Sequence, residues 1–167
     1  MHSNKYTLIF TAVLTIILGF FVSTADSSLK DMREKNIEAD IRKNILSSLG
    51  FNETLERPWT NERVEEIFSE SIIGFVVNST GSVIDGKNPK DINPDKDLKE
   101  FPIYKRVSGD QVEGYSIPIS GKGLWGTMYG YFSIEPDGAT AKGITFYSHI
   151  ETPGLGAEVD KPWFQNN

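Results

Sequence analysis

The chain has no cysteine, and its only histidines in 167 residues are His2 and His149. Disulfides, iron–sulfur clusters, thiolate zinc sites and cysteine nucleophiles are therefore excluded together. A histidine-rich metal site is excluded as well. Basic residues are outnumbered by acidic ones, 17 to 23, for a formal net charge of -6. A nucleic acid needs a concentrated positive surface, so none is expected as a partner. Redox chemistry on such a chain has to come from an organic cofactor. The length suits one compact domain with an appendage, and no internal repeat is visible.

Charge is also missing locally. Tyr6 to Ala25 holds no charged residue, and Leu8 to Val22 is densely apolar. About twenty apolar residues span the core of a bilayer. Residues 1–25 therefore read as a transmembrane anchor with a short cytoplasmic tail, and the bilayer as a partner. The competing reading is a cleavable signal, since Ser23-Thr24-Ala25 places small residues at a cleavage position. The apolar run, however, exceeds the roughly 7–15 residues of a signal core. Lys5 and the free amine favour an N-terminus inside, while Lys30, Arg33 and Lys35 flank the other end. The short tail tips the orientation to N-in, with the rest of the chain outside.

Ser27 or Ser28 is placed to cap a helix that runs to about Leu49 and closes at Gly50. Leu29, Met32, Ile37, Ile41, Ile45 and Leu49 form an approximate apolar stripe, as in an amphipathic stalk that docks on a domain. After Pro58, Thr60 opens a short acidic helix through Ser69, and Ile72–Val77 reads as a buried strand. Residues 78–100 are polar and rich in Gly and Pro, as in a hairpin tip and surface excursion. From Val107 the period changes to two. Val112–Ile119, Thr127–Ile134 and Ala141–His149 read as strands, with Pro136-Asp137-Gly138 turning between the last two. The fold class is α+β, with an antiparallel sheet and flanking helices.

Two glycine-dense loops flank the last hairpin. Gly121-x-Gly123-x-x-Gly126 matches the dinucleotide fingerprint in form, but a strand follows it where that fingerprint needs a helix. A kinase glycine loop lies between strands, yet the lysine, catalytic loop and metal aspartates of that fold are missing. A tight strand connection is the plain alternative. Glu151-Thr152-Pro153-Gly154-Leu155-Gly156 is more specific. Glycine amides stay accessible, Thr152 offers a hydroxyl, Leu124 and Leu155 can press on a flat ring, and Trp125 adds ring contact with one donor. Together these groups suit a large flat ligand with polar edges. Asp91-x-Asn93-x-Asp95-x-Asp97 mimics half of a calcium loop, but Lys96 and Pro102 stand where Gly and Glu belong, so it reads as a solvated loop. Asn52-Glu53-Thr54 and Asn78-Ser79-Thr80 match glycosylation sequons, which count only in a eukaryotic secretory setting. His149 reads as a structural hydrogen-bonder.

Residues 117–130 and 146–157 closely resemble the C-subunit family of the sodium-translocating NADH:quinone reductase, as do the anchor and Lys43-Asn44-Ile45-Leu46. The flavin-bearing G-subunit of the Rnf electron-transport complex is a more distant likeness. The resemblance implies a single-pass inner-membrane protein whose residues 26–167 form a periplasmic FMN-binding domain. It would pass electrons between the other subunits of a complex that oxidises NADH, reduces ubiquinone and pumps sodium ions outward. Carried over residue by residue, Leu124, Trp125, Gly126, Glu151, Thr152, Leu155 and Gly156 would bind the flavin, with no catalytic or metal residue on this chain. The family attaches FMN by its phosphate to a threonine in Ser-Gly-Ala-Thr-x-Thr, downstream of the second loop. The chain stops at Asn167 without that motif, so a C-terminally incomplete domain is expected. Asp137-Gly138-Ala139-Thr140 looks similar, but Ala141-Lys142 follows, and Thr140 reads as a turn residue. From the residues alone, a membrane-anchored ligand-binding or sensory module is the other reading.

Overall fold

The computed structural model describes residues 4–54, 56–93, 96–97 and 99–165. The chain divides into two units, Met1–Glu38 and Ala39–Asn167.

The first unit is helical. Helix α1 runs uninterrupted over Asn4–Ser48, and among the described residues it alone is long and apolar enough to cross a membrane. Several of its hydroxyls bond back to the preceding turn: Thr11, Thr15 and Thr24 donate to the carbonyls of Thr7, Thr11 and Phe20 at 2.8–2.9 Å. Such back-bonding lets polar side chains sit in an apolar helix. The expected cap at Ser27 or Ser28 is not formed. Ser28 instead donates to the Thr24 carbonyl at 2.8 Å, and with neither Gly nor Pro there to break it the ladder continues. Of the expected apolar stripe, Leu29, Met32 and Ile37 are all more than half exposed.

The second unit contains the docked part, where Ile45, Leu46 and Leu49 are fully buried. The helix closes at Gly50, whose φ of 86° lets Phe51 donate to the Leu46 carbonyl and Gly50 to the Ser47 carbonyl, both at 3.0 Å. Arg106 lies over the Phe51 ring and donates to the Leu49 carbonyl at 2.7 Å. Helix α2 spans Asn61–Ser71, and the Thr60 hydroxyl caps it by accepting from the Arg63 amide at 3.3 Å. Five antiparallel strands follow in simple up-and-down order: β1 Ile72–Asn78, β2 Glu100–Ser108, β3 Gln111–Lys122, β4 Thr127–Ile134 and β5 Ala141–Ser148. A short 3-10 helix, Gly156–Asp160, and a last helical turn, α3 Pro162–Gln165, follow the sheet.

Strand β2 was not expected. The expected excursion ends at Glu100, and residues 101–106 fall in no expected element because Pro102 and the Lys105-Arg106 pair hide the alternation. Pro102 is tolerated there opposite Val76, at the far end of the β1–β2 ladder. Strand β1, expected to be a buried strand, is an edge strand in which Ile72, Val76 and Val77 are buried while Ile73 is 49% exposed.

Register puts Gly74, Tyr104, Ser116, Ser133 and Gly143 in one row across the sheet. The core lies on that face: Ile45, Leu46, Leu49, Val64, Ile72, Tyr104 and Tyr131 form one cluster. Inside it the Ser48 hydroxyl donates to the Ile45 carbonyl at 2.8 Å and accepts from Ser133 at 2.8 Å, with Ser116 at 2.9 Å. The opposite face presents Phe75, Ile103, Ile117, Phe132, Ile144 and Phe146, half-buried and outside that cluster.

Candidate functional site

The β4–β5 hairpin determines which loops meet. At its closed end Asp137 organises the turn. Its carboxylate accepts from the Ala139 and Thr140 amides at 2.9 Å and from the Thr140 hydroxyl at 2.6 Å. These bonds, the Thr140 hydroxyl first, hold the Asp137 carboxyl down at about 2. Thr140 is thus engaged as a turn residue. At the open end, Lys122 pairs with Thr127 and Tyr129 with Ser148, so residues 123–126 and 149–156 emerge side by side. The hairpin brings together two loops that are far apart in sequence.

Each loop is closed by its own backbone. Gly123 donates to the Gly126 carbonyl at 2.7 Å, and Leu155 and Ala157 both donate to the Thr152 carbonyl, at 3.1 and 3.2 Å. Between the loops sits Glu151, only 8% exposed. Its Oε1 accepts from the Trp125 amide at 3.0 Å. A side chain on Gly123 would run into that same oxygen, and one on Gly156 would come within 2.8 Å of Oε2. At these two positions the room is taken by the Glu151 carboxylate. His149 supports it from behind. Its Nδ1 accepts from the Glu151 backbone amide at 3.3 Å, and its Nε2 lies 3.5 Å from Asp160 Oδ2.

What the loops present outward is apolar. Leu124 is 81% exposed, Trp125 65%, Leu155 73% and Ile150 69%. Hydrophobic groups so close to well-bonded loops mark a surface that something covers. Thr152 and Gly154 are also exposed, and Gly154, with φ of 77°, turns the chain into Leu155. All seven residues expected at a flavin site thus lie on these two loops. Sequence reasoning missed Ile150, against which Gly126 packs so closely that a Cβ would come within 2.6 Å. It also missed that His149 and Asp160 brace Glu151. The spacing of His149 and Glu151 was visible, but not the contact.

The other singled-out features stay local. The calcium-like run includes Asp95, which lies outside the described residues, and Asp97 accepts from the Asn93 amide at 2.8 Å. The sequon residue Asn78 accepts from the Thr80 amide and hydroxyl and the Ser82 amide, as a turn former does.

A family model described as an FMN-binding domain matches residues 123–167, the stretch that holds both loops. The chain is similar to the C-subunit of Na(+)-translocating NADH-quinone reductase from Vibrio anguillarum, 31% identical, covering 96% of this chain and 69% of that relative. For the corresponding protein from Pasteurella multocida the figures are 31%, 95% and 68%. The crystal structure of the C-subunit from Parabacteroides distasonis superposes with a TM-score of 0.71 at 30% identity, covering 83% of this chain and 67% of that one.

Proposed function

We propose a function from one premise: the chain belongs to the C-subunit family of Na(+)-translocating NADH-quinone reductases. It is an electron-transfer subunit of a membrane complex, and FMN is its cofactor. The observation that carries this reading is the pair of loops at the open end of the β4–β5 hairpin, with Leu124, Trp125 and Leu155 exposed around a buried carboxylate.

These residues fit the ring of FMN better than its phosphate. Leu124, Trp125 and Leu155 would hold the flat ring, Thr152 would offer a hydroxyl to its polar edge, and Gly126 and Gly156 would leave room beside it. The carboxylates of Glu151 and Asp160 give this arrangement an acidic character, so the loops do not cradle an anion. FMN when bound supplies electron acceptance and donation. The chain's own residues hold it, shield one part of it from water and set the polarity around it. The complex would oxidise NADH, reduce ubiquinone and move sodium ions outward, with those sites on other subunits. Helix α1 would anchor the chain in the bilayer, N-terminus inside and the second unit outside.

The test is titration of FMN against the full chain in detergent micelles, read by quenching of flavin fluorescence. Saturable binding is expected. Leu124→Ala with Leu155→Ala should weaken it by roughly tenfold or more, since each removes a leucine side chain of apolar cover. If no binding is seen while another small ligand does bind, the reading as a membrane-anchored binding module replaces this one.

A further inference from the structure

We propose that Glu151 is a positioning residue: its carboxylate pins the two loops together, so that it shapes the flavin surface without touching the flavin. This rests on the FMN reading above and adds to it a division of labour between the outward leucines and tryptophan and the inward carboxylate.

Three observations point the same way. Glu151 is turned inward and nearly inaccessible, whereas Leu124, Trp125, Ile150 and Leu155 beside it are largely exposed. Its oxygens are directed at both loops, with Oε1 on the Trp125 amide and against Gly123, and Oε2 against Gly156. Its own amide is bonded to His149, whose far nitrogen faces Asp160 at the end of the 3-10 helix. The order Asp160, His149, Glu151, Trp125 links the segment after the second loop to the first loop through side chains.

A hydrogen bond from an amide to a carboxylate is among the stronger ones available to a protein. Here it supports a four-residue connection that its own backbone closes from Gly123 to Gly126. Without the carboxylate, Trp125 and Leu124 lose their fixed direction. A preorganised surface binds more tightly than one that must be ordered on binding. The two glycines fit the same scheme, because any larger residue at 123 or 156 would displace the pin.

The test uses the full chain in detergent, first without FMN. Amide hydrogen exchange at Trp125 should speed up by roughly tenfold or more in Glu151→Ala, as expected for loss of a charge-assisted bond. FMN affinity should then fall by about tenfold to a hundredfold. Glu151→Gln should rescue both to within about threefold, because its amide oxygen still accepts from Trp125. Unchanged exchange at Trp125 in Glu151→Ala overturns the proposal. So does a Gln variant that keeps the Trp125 protection but loses FMN as badly as Ala, since the carboxylate would then act on the flavin directly. If the unaltered chain binds no FMN while the exchange results hold, the FMN reading fails and the pin stands.

Discussion

Two tyrosines show what burial alone does to a residue. Tyr104 and Tyr131 lie edge to face in the core, ring centroids 6.0 Å apart, and Tyr147 stacks on Tyr131 at 5.6 Å. Desolvation, with smaller contributions from the neighbouring phenols, pushes Tyr104 up from 10.0 to about 12, and Tyr131 moves further in the same direction. Both folded values are raised, so the stability these groups confer is intact below the unfolded value near 10. Above it the unfolded phenols ionise while the folded ones stay neutral, and stability drains by about 1.4 kcal/mol per pH unit for each phenol. Tyrosinate absorbance followed beside circular dichroism should show two of the phenols ionising only as the second unit unfolds, above pH 10. Their ionisation ahead of unfolding would contradict the burial. Nothing in the local pattern announces this: Tyr131 looks like an ordinary alternating strand residue, and Tyr104 lies on β2, which was not expected.

At the scale of elements, Ser48 is what fastens the helix to the sheet. It reaches Ser116 on β3 and Ser133 on β4, both fully buried. Thr145 on β5 adds a hydroxyl bond to the Asn44 carbonyl at 3.1 Å. Gly143 lets the helix end approach β5, since a Cβ there would collide with the Ser48 carbonyl. Replacing Ser48 with Ala strands two buried hydroxyls, and the expected loss is about 1–3 kcal/mol in urea or thermal unfolding of the second unit. A loss below a few tenths would mean that the serines find other partners. Local rules read several elements well: the Thr60 cap, strands β4 and β5, and the turn at 136–138 all follow from short-range chemistry. They failed at β2 with its Pro102, where long-range pairing decides, and at Ser28, where a cap residue instead bonds back to Thr24 and the helix runs on.

At the scale of the whole molecule, the two units differ in kind: the first is a long apolar helix, and the second carries the sheet and both glycine loops. Helix α1 leaves Leu8, Ile16, Phe20, Phe21 and Val22 more than 60% exposed, an arrangement that suits lipid and is costly in water. The full chain should therefore stay with membranes through an alkaline carbonate wash. A chain shortened by residues 1–36 should be released, and retention of the shortened form would place the membrane contact elsewhere. The alternation in β3, β4 and β5 supplies the residues of the half-buried apolar face, but not that they form one surface. It emerges only when five strands are laid in register with the core cluster on the other side.

The long apolar helix, the α+β class, the last hairpin and the two glycine-dense loops were legible in the amino-acid order; the seven candidate residues on those loops came from the family resemblance. Helix, class, hairpin and loops each depend on composition or on neighbours within a few positions, so the physics is local. Folding had to supply the rest: that the two loops meet, that Glu151 points inward between them, and that their glycines make room for its carboxylate. Those facts depend on strand register and on contacts spanning 26 residues, from Trp125 to Glu151. Periodicity says which face a side chain takes, but not what waits for it there.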